Sequence, residues 1–157
     1  MNQAIDGANV RFPPPLIYVA GLAVGIVAER LLKLPSLGLS LAARSTAGGL
    51  LGVGGFLIML AGAGLFLRRR TAILPFKPAS SLVTSGILSW TRNPMYLGMA
   101  IFYVALALIL NSLASLILLP LVLGIVQKQV IAREEAYLER AFGDEYVAYK
   151  NRVRRWL

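Results

Sequence analysis

The feature that most restricts this chain is a run of 35 residues, Asn93 to Gln127, without one charged side chain. A second run, Ser45 to Leu67, extends for 23 residues and is equally free of charge. A third, Leu16 to Ala28, is also uncharged; Glu29, Arg30 and Lys33 then follow among leucines. Roughly 20 apolar helical residues cross a bilayer core, so the 23-residue run reads as one clean span. The 35-residue run is too long for one: at about 1.5 Å per residue it would reach roughly 52 Å. Its natural break is Asn111-Ser112. Two short helices, about Pro94 to Leu110 and Leu113 to Gln127, are therefore expected to form a hairpin. Pro120 is expected to kink the second. The first stretch lacks a basic start near Met1 and a small-residue cleavage site, so it reads as a span, about Pro15 to Leu34, and not as a signal peptide. The expected fold is all-α: a bundle of four membrane helices with a polar helical segment after them.

Composition agrees. Hydrophobic residues are 57% and charged residues 15% of 157, and a soluble domain of that size has too small an interior for so much apolar surface. The net charge of +9 would suggest nucleic acid on a soluble protein. Here the basic residues are segregated. Arg68, Arg69, Arg70, Lys77 and Arg92 fill one connection, seven more follow from Lys128, and Arg11 joins them if the number of crossings is even. Thirteen of 16 then share a side, against Arg30, Lys33 and Arg44. The positive-inside rule makes that side cytoplasmic. The pattern implies membrane lipids as neighbours and no nucleic acid.

With no cysteine and no histidine, thiolate chemistry and the commonest general base and metal ligand are absent. No metal is expected. The glycines between Gly48 and Gly64 form no phosphate-binding motif. Gly21/Gly25 and Gly48/Gly52 are four apart and read as close helix packing.

Two polar segments remain, both on the cytoplasmic side. The first runs from Leu82 through Thr84-Ser85-Gly86 to Arg92-Asn93-Pro94-Met95-Tyr96-Leu97-Gly98. Asn93 and Pro94 suit the N-cap and first position of a helix, where anionic groups are favoured. The second segment begins Arg133-Glu134-Glu135 and continues Phe142-Gly143-Asp144-Glu145-Tyr146, then Tyr149 and Arg152-Val153. Gly143 is placed to end one helix, and Tyr146, Tyr149 and Arg152 align on the next. Two carboxylates beside a membrane helix are costly unless something cationic meets them. A cationic ligand is one possible partner and Arg92 another.

From about Phe66 to Trp156 the chain resembles the isoprenylcysteine carboxyl methyltransferase family. The likeness lies in Phe66-Leu67-Arg68-Arg69, Pro75-Phe76-Lys77-Pro78, Leu82-Val83-Thr84-Ser85-Gly86, Arg92 to Gly98, Glu134-Glu135 and Phe142 to Tyr146. It implies an integral membrane enzyme, of the bacterial inner membrane, that uses S-adenosylmethionine on a lipophilic or lipidated substrate. On this resemblance residues 1–157 form one domain, with helices in 1–67 and the catalytic core in 68–157. Carried over, Leu82, Val83, Leu88, Asn93, Pro94, Met95, Tyr96 and Glu134 lie at the cofactor. Glu135, Arg133 and Arg152 are the candidate catalytic residues. Many members read Pro-Tyr-Arg after Gly86, where this chain has Ile87-Leu88-Ser89. The eukaryotic members carry a substrate-binding arginine one turn before the first glutamate. Val130 matches that position, with Lys128 and Arg133 nearby. Methyl transfer to a carboxylate needs no base, whereas an ammonium must first lose a proton. The available bases are Glu134, Glu135 and Tyr96. The main expectation is carboxyl O-methylation; phospholipid N-methylation and a non-catalytic membrane scaffold are the alternatives.

Overall fold

A computed structural model describes residues 10, 13–69 and 81–157. Arg11, Arg70, Lys77 and the Pro75-Phe76-Lys77-Pro78 motif lie outside the described residues. Those described contain six α-helices and no strand: α1 (Pro14–Leu31), α2 (Leu41–Arg68), α3 (Pro94–Ile109), α4 (Leu113–Val126), α5 (Ala132–Phe142) and α6 (Asp144–Arg152). A 3₁₀ turn, Gly86–Ser89, precedes α3, and a π turn, Gln127–Ile131, joins α4 to α5.

Among the described residues three helical stretches are long and apolar enough to cross a membrane: Pro14–Leu31, Leu41–Arg68 and Leu113–Phe142. The fourth expected span, α3, is apolar but only 16 residues long, about 24 Å at the helical rise. The second hairpin helix does not stop at Gln127. It runs through Pro120 and the π turn into α5, a continuous rod of 30 residues. The polar segment thus begins inside this rod. Large apolar side chains of α1 and α2, including Leu16, Val19, Leu50, Val53 and Leu57, point outward. In water this would be an aggregating surface; on a membrane-spanning bundle it is the lipid face. The protein is an integral membrane protein.

The helices pair as α2 along α3 and α1 along α4. The reason is a near absence of side chain along the seams. Gly48, Gly55 and Gly62 are the buried residues of α2. A Cβ on Gly55 would lie 2.7 Å from the Gly98 carbonyl oxygen, and one on Gly98 would lie 2.6 Å from that of Gly55. On α1, a Cβ at Gly21 would overlap Val122 and one at Gly25 would overlap Ser115. Small residues let backbones approach where no hydrophobic drive exists between helices in lipid.

The hairpin turns at Asn111, which takes a left-handed φ of 60°, a conformation asparagine tolerates better than most residues. Both helix ends at this turn are met by charges of the right sign. Arg44 Nη1 donates to the Ile109 carbonyl at 2.7 Å, at the C-terminus of α3. Glu29 accepts from the Ser112 hydroxyl at 2.8 Å and from the Ala114 N–H at 3.1 Å, at the N-terminus of α4. Each complements the helix dipole. Between α1 and α4 lies an apolar groove of about 420 Å³, lined by Leu16, Ile17, Gly21, Leu121, Val122 and Ile125 among others.

Candidate active site

The site is built where the start of α3 meets α5 and the C-terminal tail. Gly86 has a φ of 61°, which glycine adopts without steric cost. It opens the 3₁₀ turn that buries Leu88. The chain then extends through Thr91 to Asn93. Asn93 occupies the N-cap position of α3, and Pro94 is the first helical residue. The expected side-chain cap is not made. Asn93 Nδ2 instead donates to the Arg155 carbonyl at 2.9 Å, so the tail holds this side chain and its oxygen takes no helix N–H. The Asn93 N–H donates to Thr91 Oγ1 at 3.2 Å. The Thr91 hydroxyl donates to the same Arg155 carbonyl at 3.3 Å, and the Arg92 N–H to the Arg154 carbonyl at 3.0 Å.

Glu134 and Glu135 are consecutive on α5, so they point about 100° apart around the helix. They meet different partners. The Tyr96 hydroxyl donates to Glu134 Oε1 at 2.5 Å. The Tyr18 hydroxyl donates to the Tyr96 carbonyl at 3.0 Å and ties α1 to the same residue. Tyr96 is buried and Glu134 half-buried. Among the described residues Glu134 forms no salt bridge. Glu135 is buried between two guanidinium groups. Arg92 Nη2 lies 3.1 Å from Oε1; Arg155 Nε donates to Oε1 at 3.0 Å and Nη2 to Oε2 at 2.5 Å. Bonding to Glu135 raises the Arg155 pKa above its ordinary value. The Nε and Nη1 atoms of Arg92 are buried without a hydrogen-bond partner among the described residues.

Other residues singled out by sequence lie around this centre. Val83 and Leu88 are buried, and the Leu88 carbonyl accepts from the Tyr149 hydroxyl at 2.7 Å. Leu82 packs on the cluster of Tyr146, Tyr149 and Val153. Pro94 and Met95 face Gly62 of α2. Arg133 reaches back one turn to Gln129, Nη2 to Oε1 at 3.3 Å. Arg152 is exposed at the end of α6. Sequence reasoning missed Thr91, Arg155 and Trp156. Trp156 Nε1 donates to Gln127 Oε1, in the π turn, at 3.2 Å. For Arg155 and Trp156 the sequence signal was a basic stretch with one aromatic residue after α6, which also describes an exposed segment; Thr91 carried none.

A half-buried carboxylate held by a phenol, beside a helix start and at the polar end of an apolar bundle, suits a cationic ligand. The family model described as phospholipid methyltransferase matches residues 43–145. The chain belongs to the phospholipid methyltransferase family. The match spans α2 to the start of α6 and so includes Tyr96, Glu134 and Glu135. Within this family, the resemblance to isoprenylcysteine carboxyl methyltransferases is borne out by two yeast proteins. Protein-S-isoprenylcysteine O-methyltransferase of Schizosaccharomyces pombe is 40% identical over 72 residues, and that of Saccharomyces cerevisiae 39% over 72. Each alignment covers 46% of this chain and 30% of the yeast protein, so the chain matches less than a third of their length. An uncharacterized protein of Haemophilus influenzae is 55% identical over 64 residues, covering 40% of this chain and all of that protein. No solved structure matches the chain significantly.

Proposed function

We propose that this protein is a membrane methyltransferase that takes its methyl group from S-adenosylmethionine and delivers it to a lipophilic acceptor. The acceptor that fits best is a carboxylate of the isoprenylcysteine type, as the names of the yeast relatives indicate for those proteins. The observation that carries the reading is Glu134: a half-buried carboxylate with a tyrosine donor and no cation among the described residues. Desolvating a carboxylate costs free energy unless a cation or several donors meet it. When bound, S-adenosylmethionine supplies a methyl group on a positively charged sulfur. Glu134 and the face of Tyr96 favour such a cation. Leu82, Val83, Leu88, Asn93, Pro94 and Met95 complete the proposed cofactor-binding set.

The residues then have simple tasks. The Tyr96 hydroxyl fixes the direction of Glu134, and Tyr18 fixes Tyr96 through its carbonyl. Transfer is an in-line displacement, for which alignment and exclusion of water matter most. A carboxylate acceptor arrives deprotonated and asks no base of a chain without histidine. Arg133 and Arg152 provide positive charge at the rim, where an anionic acceptor head would lie. The α1–α4 groove offers the acceptor's apolar chain a route from the bilayer. Residues 68–157 are the proposed catalytic core. The basic excess supports a cytoplasmic side for that core, and a bacterial inner membrane is its proposed location.

Phospholipid N-methylation is the second reading, favoured by the description of the matching family. It would use Glu134 to take a proton from an ammonium headgroup. Labelled methyl transfer in proteoliposomes separates the two: base-labile product indicates an ester, base-stable product an amine. Absence of calorimetric binding of S-adenosylmethionine to the purified protein would sink both.

A further inference from the structure

Residues 154–156 touch three elements at once. The carbonyls of Arg154 and Arg155 take donors from Thr91, Arg92 and Asn93, the three residues before α3. The Arg155 side chain takes both oxygens of Glu135 on α5. Trp156 bonds the π turn that sets the rotation of α5 relative to α4. A π turn holds one residue more than an α turn and re-aims everything after it. Glu134 is the neighbour of Glu135, and Tyr96 lies in the first turn of α3. The two ends of the Tyr96–Glu134 contact are therefore fixed to one strap.

We propose that Arg155 is a positioning residue for the methyl-transfer site. It anchors a strap that locks the start of α3 to α5 in the register that brings Tyr96 to Glu134. The inference rests on the function proposed above for its consequence, though not for its geometry. The ion triad explains why this arginine has the role. Arg92 and Glu135 are 8% and 10% exposed in their side chains, and Arg155 is 32% exposed. Two cations meet one carboxylate, so removing Arg155 leaves Arg92 and Glu135 as a balanced pair and strands no buried carboxylate. Arg155→Gln is thus expected to fold while losing the strap's hold on α5. Arg155→Lys keeps a charge but not the two-nitrogen fork that grips both oxygens.

Two measurements on the full chain in detergent test this. The protein has no cysteine, so Tyr96→Cys/Glu134→Cys makes a single addressable pair, and a short bifunctional thiol reagent reports whether α3 and α5 stay in register. Arg155→Gln in that background is expected to lower the cross-linked fraction at least threefold, with partial recovery in Arg155→Lys. In the cysteine-free background, Arg155→Gln is expected to weaken calorimetric binding of S-adenosylmethionine at least tenfold, and Arg155→Lys less. The melting temperature should shift by a few degrees only. Unchanged cross-linking in Arg155→Gln overturns the proposal. So does a loss of cross-linking that appears only when the variant melts. Should Arg155→Gln not fold, Arg155→Lys decides alone: parental cross-linking overturns the proposal and a reduced yield supports it. If the parent protein binds no S-adenosylmethionine while Arg155→Gln still loses cross-linking, the functional reading falls and the positioning role stands.

Discussion

The α2–α3 seam and the polar cap at the membrane edge solve one problem, holding α3 in place, by opposite means. In the seam the chain removes side chains. Gly55 and Gly98 let two backbones touch, and the contact is dispersion over a small distance. In the cap it adds polar partners: an asparagine, a threonine, two arginines and a glutamate meet within a few residues of Pro94. The difference follows solvent. Lipid supplies no hydrogen bonds, so a polar seam there must be complete in itself. The membrane edge is wet, and there directional bonds set a register that apolar contact would leave loose. The seam therefore governs whether the bundle forms, and the cap governs how Tyr96 faces Glu134.

Four substitutions break or sharpen this contrast. Gly55→Leu is expected to have the largest effect, because its Cβ alone would come within 2.7 Å of the Gly98 carbonyl oxygen. A loss of about 3 kcal/mol is expected, the upper end for overpacking, read as a large drop in melting temperature in detergent. A parental melting temperature would refute the role of the seam. Glu134→Gln should do the reverse. S-adenosylmethionine binding should weaken about a hundredfold, about 2.7 kcal/mol, with melting nearly unchanged. Equal affinity of the variant and parent would remove Glu134 from the site. Tyr96→Phe keeps the ring and loses the hydroxyl, and about tenfold weaker binding is expected from one charge-assisted bond. If calorimetry gave the same loss as Glu134→Gln, the tyrosine would be more than an orienting donor.

The smallest effect concerns the cap alone. Burial pushes the Tyr149 hydroxyl up to about 12, and it must stay protonated to donate to the Leu88 carbonyl. An unfolded tyrosine ionises near pH 10. The folded state holds the proton longer, so this contribution is constant below about pH 10 and is lost as pH rises from there toward 12. Tyr149→Phe should cost about 1 kcal/mol at neutral pH and flatten the alkaline fall in melting temperature. An identical alkaline profile in the variant would show that Tyr149 does not report on the cap.

Much of the architecture was legible in the order of residues because it follows from local rules. Charge-free runs of helical length mark the membrane segments, since a bilayer core excludes charge. Asn111-Ser112 marked the hairpin turn, and Gly21/Gly25 marked the α1–α4 seam, whereas the α2–α3 seam follows Gly48, Gly55 and Gly62, seven apart, in place of Gly48/Gly52. The break expected at Gln127 failed because polarity changes there while helicity does not: Lys128, Glu134 and Glu139 are good helix formers, and the rod simply leaves the apolar region. The Asn93 cap failed because the Arg155 carbonyl, 62 residues away, holds the side chain through Nδ2, and no local pattern encodes the orientation that this long-range bond sets.

The sequence alone determined the apolar helices and the segregation of the basic residues, because composition carries those, and the family resemblance implied the meeting of the Tyr96 helix start with Glu134. The sequence left open which carboxylate Arg92 would meet. Only the tertiary structure divided the two glutamates, giving Glu135 to Arg92 and Arg155 and leaving Glu134 to Tyr96. The physical reason is rotation. Neighbours on a helix point about 100° apart, and which of them faces α3 depends on the π turn before them and the strap across them, neither of which a local pattern encodes.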